Sequence, residues 1–124
     1  MERLRPYIAR KLVDMEEIKR RAFCRDGLYV VGGIKDPENK ELFTLDMAAH
    51  FLELAKDHFD IVIVDTGAQL EEGMALGALA VADRVYMVFN QRESSVQRYE
   101  WLSFLYAKLE FASERFILNR YDKC

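Results

Sequence analysis

A carboxylate directly follows a short aliphatic run near the middle of the chain. The run IVIV at 61 to 64 leads into Asp65, and Thr66 and Gly67 come next. Ligands of parallel α/β sheets bind beyond the carboxyl ends of the strands, and a carboxylate placed there can hold Mg²⁺ directly or through water. An Asp at a strand end can also cap a turn with its side chain. The spacing leaves both roles of Asp65 open.

Two asparagines follow later apolar runs in the same manner. Asn90 comes after VYMVF at 85 to 89, and Asn119 comes after FIL at 116 to 118. If these runs are parallel strands, their carboxyl ends share one edge of the sheet. We therefore expect that edge to collect the polar groups, including Asp65.

The elements that would position these groups are apolar runs separated by segments of helical period. Four strands are predicted, at 28 to 31, 61 to 64, 85 to 89 and 116 to 118, with three helix-length crossovers between them. Such connections are typical of parallel strands buried on both faces. The sequence predicts an α/β fold, a three-layer sandwich with a mainly parallel sheet.

The first crossover is predicted to be a helix that begins after Thr44, a good N-cap, and buries one stripe of side chains. The stripe consists of Leu45, Ala48, Ala49, Leu52 and Ala55. The second crossover, at 72 to 82, contains two glycines and is predicted to pack close to the sheet. Upstream of the strands, Asp14 is predicted to cap a helix that ends at Gly27.

The third crossover is predicted to be a helix that begins at Ser94 or Ser95. Its aromatic residues are assigned to the core, although Trp101 and Tyr106 could instead form an exposed aromatic face. The residues predicted to point mostly inward are Val96, Tyr99, Leu102, Phe104, Tyr106 and Leu109.

Composition limits the classes of function. The 124 residues are 51% hydrophobic and 31% charged, which describes one globular domain. The net charge of −3 argues against direct nucleic-acid binding, and the basic run at 19 to 21 is interpreted as a solvated helix face. Two cysteines without metal-ligand spacing, and no apolar stretch of membrane-spanning length, indicate a cytoplasmic protein that reaches a membrane only through a partner or a further segment.

Three stretches together resemble one ATPase family. These are FDIVIVDTG at 59 to 67, ALGALAVADRVYMVFN at 75 to 90 and FILNRYDK at 116 to 123. They resemble the ParA/MinD-like ATPases, the deviant-Walker-A group of P-loop NTPases that includes Tad pilus and flagellar placement proteins. The resemblance covers nearly the whole chain and implies a Rossmann-like fold and a role in positioning or partitioning DNA or a cell-surface machine.

The resemblance also implies roles for particular residues. Asp65 corresponds to the family's acidic residue that holds the magnesium-bound water, and Thr66 with Gly67 opens the segment that responds to the γ-phosphate. Asn119 falls where the family's Asn-Arg step contacts adenine, with Arg120 beside it. The complete parent would therefore bind ATP and Mg²⁺ and would tend to form homodimers.

The chain departs from the family in its phosphate loop. A phosphate cradle needs glycines, a Lys and a Ser or Thr at a helix start, and no GKS or GKT occurs. The stretch VVGGIKDP at 30 to 37 is a poor substitute, because Asp36 repels phosphate and no hydroxyl follows, so an ordinary turn is predicted there. AQLEEG at 68 to 73 replaces the Pro-rich or Gly-rich stretch that often follows the acidic strand.

We therefore expect residues 1 to 124 to be a single partial domain of such an ATPase, without its N-terminal P-loop segment and its C-terminal end. The chain alone is expected to be catalytically inactive, to bind no cofactor, and to self-associate or bind a protein partner. Two other classes stay open: a receiver-like signalling module, and a non-enzymatic scaffold of the same fold. Catalysis by His50 or His58 is the weakest hypothesis, since no nucleophile or orienting acid is in evident reach.

Overall fold

The structure, a computed structural model, describes residues 1–67, 72–109 and 114–121. The chain divides into two compact units, Met1–Val81 and Ala82–Cys124. After a 3₁₀ turn at Glu2–Leu4, the first unit contains α1 (Arg5–Ala9), α2 (Met15–Arg21), β1 (Phe23–Arg25), β2 (Leu28–Val30), α3 (Pro37–Lys40), α4 (Leu45–Lys56) and α5 (Gly73–Val81). The second unit contains β3 (Val85–Phe89), α6 (Glu93–Leu109) and β4 (Glu114–Leu118).

Side-chain caps define the starts of two helices in the first unit. The Asp14 carboxylate accepts a hydrogen bond from the Glu17 N–H at 2.8 Å, and the Thr44 hydroxyl accepts one from the Met47 N–H at 3.2 Å. Each bond satisfies one of the donors that a helix start leaves without an intrahelical partner. Both predicted N-caps are therefore confirmed, although α2 ends at Arg21 and not near Gly27.

A hydrophobic core joins the helices of the first unit. Its buried members are Leu4, Ile8, Val13, Met15, Ile18, Phe43, Phe51, Leu52 and Ala78. On α4, Ala48, Leu52 and Ala55 are buried as predicted, while Leu45 is exposed and Ala49 is half-buried. Phe51 completes the buried stripe, so the inward face of α4 is rotated slightly from the predicted one.

α5 packs against α4 through its two glycines. A Cβ built at Gly77 would lie 2.5 Å from the Ala48 Cβ, and one built at Gly73 would collide with the Phe43 carbonyl oxygen. The absence of side chains at these positions lets the two helices approach closely. The close packing that the glycines predicted is present, but its partner is a helix and not a sheet.

β1 and β2 form an antiparallel hairpin that the sequence analysis did not predict. Arg25 pairs with Leu28, which leaves Asp26 and Gly27 as a two-residue turn. Both turn residues have positive φ, 50° and 81°, the combination required at the centre of a type I′ hairpin turn.

The second unit consists of two parallel strands joined by a helix. β3 and β4 pair from Val85 with Glu114 to Phe89 with Leu118. The rings of Phe89, Tyr99 and Phe116 contact one another with centroid distances of 5.5 to 5.6 Å. This aromatic cluster links α6 to both strands, with Val85 and Leu102 also buried.

The predicted three-layer sandwich with a four-stranded parallel sheet is wrong. The described residues form two separate two-stranded sheets, and only β3 with β4 is parallel. Residues 61–64 belong to neither sheet, and the strand at 28–30 pairs with its immediate neighbour. An apolar run specifies extended backbone but not its pairing partner, and the Asp26-Gly27 turn gives β2 a partner at minimal loop length.

Candidate functional site

Asp65, Thr66 and Gly67 form one local turn at the end of the aliphatic run. The Asp65 Oδ1 accepts a hydrogen bond from the Gly67 N–H at 2.9 Å, and Gly67 has a φ of 66°. The carboxylate is exposed, and the Thr66 hydroxyl is 3.5 Å from the Gly67 carbonyl oxygen. This is the side-chain turn that Asp commonly makes with the backbone two residues on. The turn role of Asp65 is observed, and its metal role stays a prediction.

The aliphatic run before this turn exposes two of its four side chains almost completely. Ile61 is 79% exposed and Ile63 is 89% exposed, whereas Val62 is half-buried and packs against the core of the first unit. Val64 is also exposed, at 43%, so the alternation that is typical of extended backbone with one face inward covers residues 61–63. We call residues 61–64 the apolar segment. It is strand-like in side-chain pattern, yet it pairs with no strand among the described residues.

The carboxyl ends of β3 and β4 lie side by side in the second unit. The Asn119 N–H donates to the Phe89 carbonyl oxygen at 2.7 Å, just beyond the last ladder pair. The Asn119 Oδ1 accepts from the Arg120 N–H at 2.9 Å, and Arg120 has a φ of 54°. Both residues are exposed. Asn119 and Arg120 thus share a local bend at the end of β4, and their contact with adenine stays a prediction.

The Asn90 side chain makes local hydrogen bonds just before the crossover helix. Its Oδ1 accepts hydrogen bonds from the Arg92 N–H at 3.0 Å and from the Ser95 hydroxyl at 2.7 Å. These contacts order the start of α6, which begins at Glu93. The Asn90 side chain is therefore engaged in local structure.

The glycine-containing stretch before α3 is irregular and ends in a helix cap. Residues 31–36 have no regular secondary structure, and Asp36 is the N-cap of α3. Its Oδ1 accepts from the Glu38 N–H at 3.1 Å, and its Oδ2 accepts from the Asn39 side-chain amide at 3.2 Å. The Asp36 carboxylate, which would repel phosphate, thus lies at the start of this short helix.

The two histidines lie in and just after α4. His58 follows α4, and its Nδ1 lies 2.9 Å from the Leu54 carbonyl oxygen. His50 is half-buried within α4. The His58 contact engages one of the last carbonyl groups of the helix, which is a structural role.

The hairpin presents two chemically different faces. Phe23 pairs with Val30 and Arg25 with Leu28, so these four side chains share one face, which we call the hairpin face. Phe23 and Leu28 are 67% and 66% exposed. This surface was not predicted, although Asp-Gly between two apolar stretches is a strong hairpin signal.

Cys24 and Tyr29 pair on the opposite face of the hairpin. The Tyr29 ring packs against Phe59 with a centroid distance of 5.3 Å. A side-chain hydrogen bond with Cys24, together with the negative charge of the Cys24 thiolate, raises the pKa of Tyr29 above its ordinary value of 10.0. The Cys24 thiol is free and exposed.

α6 exposes aromatic side chains that were assigned to the core. Trp101 is 73% exposed, Phe104 is also exposed, and the Lys108 ammonium lies 5.9 Å from the Phe104 ring centroid. Val96 is exposed as well, while Leu102 is buried and Tyr99 half-buried. Core packing was thus the wrong prediction for Val96 and Phe104, and the alternative, an exposed aromatic position, was right for Trp101. The predictions for the side chains of Tyr106 and Leu109 lie outside the described residues.

Comparisons with known protein families, with curated proteins and with solved structures found no match. In residues 1–67, 72–109 and 114–121, no cluster of three or more His, Cys, Asp or Glu side chains is arranged to hold a metal ion. Over those same ranges, no helix combines the length and the apolar character needed to cross a membrane.

Proposed function

We propose that the chain is an assembly module of a ParA/MinD-like protein that positions or partitions DNA or a cell-surface machine. In this proposal the module acts by binding protein, including further copies of itself, and does not hydrolyse ATP on its own. The observation that carries the proposal is the exposure of Ile61 and Ile63 in an extended run that pairs with no strand in residues 1–67, 72–109 and 114–121.

Burial of the apolar segment against a protein partner is energetically favourable. Burying an Ile side chain stabilises a complex by about 1.5–3 kcal/mol relative to leaving it exposed. An extended backbone outside any sheet can also accept a strand from another chain, which supplies hydrogen bonds in addition to apolar contact. Val62 packs against the core and anchors the segment, so binding requires little ordering of the backbone.

The nucleotide-related features belong to the proposed parent protein. There, Asp65 would hold the magnesium-bound water, and Thr66 with Gly67 would respond to the γ-phosphate. Asn119 and Arg120 would contact the adenine of ATP. The chain contains no GKS or GKT, which supports a non-catalytic role for residues 1 to 124. The proposal includes a cytoplasmic location, no direct nucleic-acid contact, and membrane association only through a partner or a further segment.

Light scattering across a concentration series tests this function. We expect the average mass of the wild-type chain to rise with concentration and the Ile63→Asp variant to stay monomeric, because a buried unpaired carboxylate opposes association. Leu12→Asp is the matched control, since Leu12 is an exposed leucine outside the apolar segment. A wild-type mass that stays monomeric at high micromolar concentration would contradict the proposal, as would equal association of wild type and Ile63→Asp.

A further inference from the structure

We propose that the apolar segment of one copy binds the hairpin face of a second copy, so that the chains associate head to tail. The proposal rests on the self-association inferred above and specifies its second surface. Both surfaces belong to the first compact unit, so every copy carries one of each. The occupant of the hairpin face is therefore Ile61 and Ile63 of another copy.

The hairpin face is suited to an apolar strand. Phe23, Leu28 and Val30 are exposed on it, and β1 and β2 are three-residue strands of an isolated two-stranded sheet. Isolated hairpins are marginally stable without a third strand or a covering layer. Tyr29 and Phe59 support the opposite face. An apolar segment of similar length from a second copy would supply the missing cover.

Charge complementarity identifies the second copy as the occupant. Residues 19–25 contain four basic residues, with Glu17 before them and Asp26 after them, whereas residues 57–65 contain three Asp and no Lys or Arg. Arg25 lies on the hairpin face itself, and Asp60 and Asp65 flank the apolar segment. Opposite charges on or beside two apolar surfaces, here Arg25 on one side and Asp60 with Asp65 on the other, favour the encounter of those surfaces.

The basic residues on and near the hairpin face form ion pairs that can be exchanged for contacts with a second copy. Arg25 contacts Asp26 at 3.5 Å, but both side chains are largely exposed, and exposed pairs contribute little. Arg20 and Arg21 share Glu17, at 3.4 Å and 2.6 Å respectively. Arg21 also lies over the Tyr7 ring at 5.4 Å, so Arg20, whose side chain is the more exposed, is the member of this pair that a partner can engage.

Like charges oppose pairing of the apolar segment with itself in the register that aligns its full length. In a symmetric antiparallel pair centred between Val62 and Ile63, Asp60 of one copy lies opposite Asp65 of the other. Like charges directly opposite each other in a sheet are destabilising. Head-to-tail contact uses two different surfaces, so it continues into rings or open chains and is not limited to dimers.

Complementary charge reversal tests the proposal. The hairpin variant carries Arg20→Asp with Arg25→Asp, and the segment variant carries Asp57→Lys with Asp60→Lys. Asp65 is left unchanged because its carboxylate holds the turn at Gly67. A matched control, Arg10→Asp with Lys11→Asp, reverses two exposed basic residues elsewhere. Circular dichroism confirms the helical signal of each variant, and single Arg25→Asp and Asp60→Lys variants replace any pair that unfolds.

We expect each reversed variant alone to lose association by at least about tenfold, because like charges then meet at the contact. An equimolar mixture of the two variants should restore it, since each reversed surface meets its complement. Wild-type association should weaken as ionic strength rises, and the control should associate like wild type.

Association of the hairpin variant at the wild-type level would overturn the proposal while leaving the proposed function intact. Failure of the mixture to associate above the separate variants would do the same. A wild-type chain that remains monomeric overturns both this proposal and the proposed function. The Ile63→Asp variant separates the two, because it loses association whichever surface the apolar segment binds.

Discussion

Gly77 of α5 lies so close to Ala48 of α4 that an added methyl group would come within 2.5 Å of the Ala48 Cβ and within 2.5 Å of the Leu45 carbonyl oxygen. Neither atom is the end of a flexible side chain. The contact between these two small residues therefore fixes the distance between two helices of the first unit.

Replacing Gly77 tests this contact directly. We expect Gly77→Ala to lower the free energy of unfolding by about 1–3 kcal/mol, because the helices must separate to admit the methyl group. Urea denaturation measures the change. Gly33→Ala is the matched control, since a Cβ at Gly33 meets nothing within 4 Å, and it should be neutral or slightly stabilising. Equal effects at both positions would contradict the observed packing.

Tyr29 provides a prediction at alkaline pH. The hydrogen bond with Cys24 raises the pKa of Tyr29 in the folded protein, so the unfolded chain releases this proton first as pH rises. The contribution to stability is present below about pH 10 and is lost as pH increases beyond it. Cys24→Ala should lower the pKa of Tyr29 toward 10.0. Near-ultraviolet absorbance titration, with Tyr29→Phe subtracted, measures it, and an unchanged pKa would argue against the contact.

The fluorescence of Trp101 tests whether its side chain is exposed to solvent. Trp101 is the single tryptophan of the chain, and its side chain is largely exposed on α6. We expect emission close to that of indole in water, efficient quenching by iodide, and a change in unfolding free energy of less than about 0.5 kcal/mol for Trp101→Ala. Leu102→Ala is the comparison. Because Leu102 is buried, this substitution should lower the free energy of unfolding by about 2–5 kcal/mol. Blue-shifted, unquenched emission from the monomer would show that Trp101 is covered.

The chain alone is expected to show no ATP hydrolysis. Phosphoryl transfer depends on positioned phosphate contacts and charge neutralisation, and the sequence contains no GKS or GKT. Phosphate release with ATP and Mg²⁺ should equal the rate without protein. Turnover that persists through purification and disappears in Asp65→Ala would refute this expectation.

Local signals in the sequence predicted local structure well. Asp14 and Thr44 each accept the hydrogen bond expected of an N-cap, and the spacing of Ala48, Leu52 and Ala55 predicted a buried stripe on α4. The parallel pairing of β3 with β4 across a helical crossover was also expected. In each case the determining contacts lie within one helix or one connection.

These local signals did not predict the longer-range structure. The run at 61–64 has the composition of a buried strand, yet Ile61 and Ile63 are exposed, because apolar character does not specify which neighbour is available. Asp65 shows the same limit for the candidate site: its residue type fits a Mg²⁺ ligand and a turn equally, and only the structure shows the bond to the Gly67 N–H. Exposure of Trp101 depends on which face of α6 finds a partner, which helical spacing alone does not reveal.

The spacing of Gly73 and Gly77 also gives α5 a defined register on α4. The two glycines are one helical turn apart, and Val81 follows one turn later at the end of the helix. A one-turn slide that moved Gly77 into the place of Gly73 would bring the Val81 side chain against Ala48, where not even a methyl group fits. Such one-turn ratchets are a known form of movement between packed elements. The same glycines that permit the close approach of α5 therefore block its sliding in this direction.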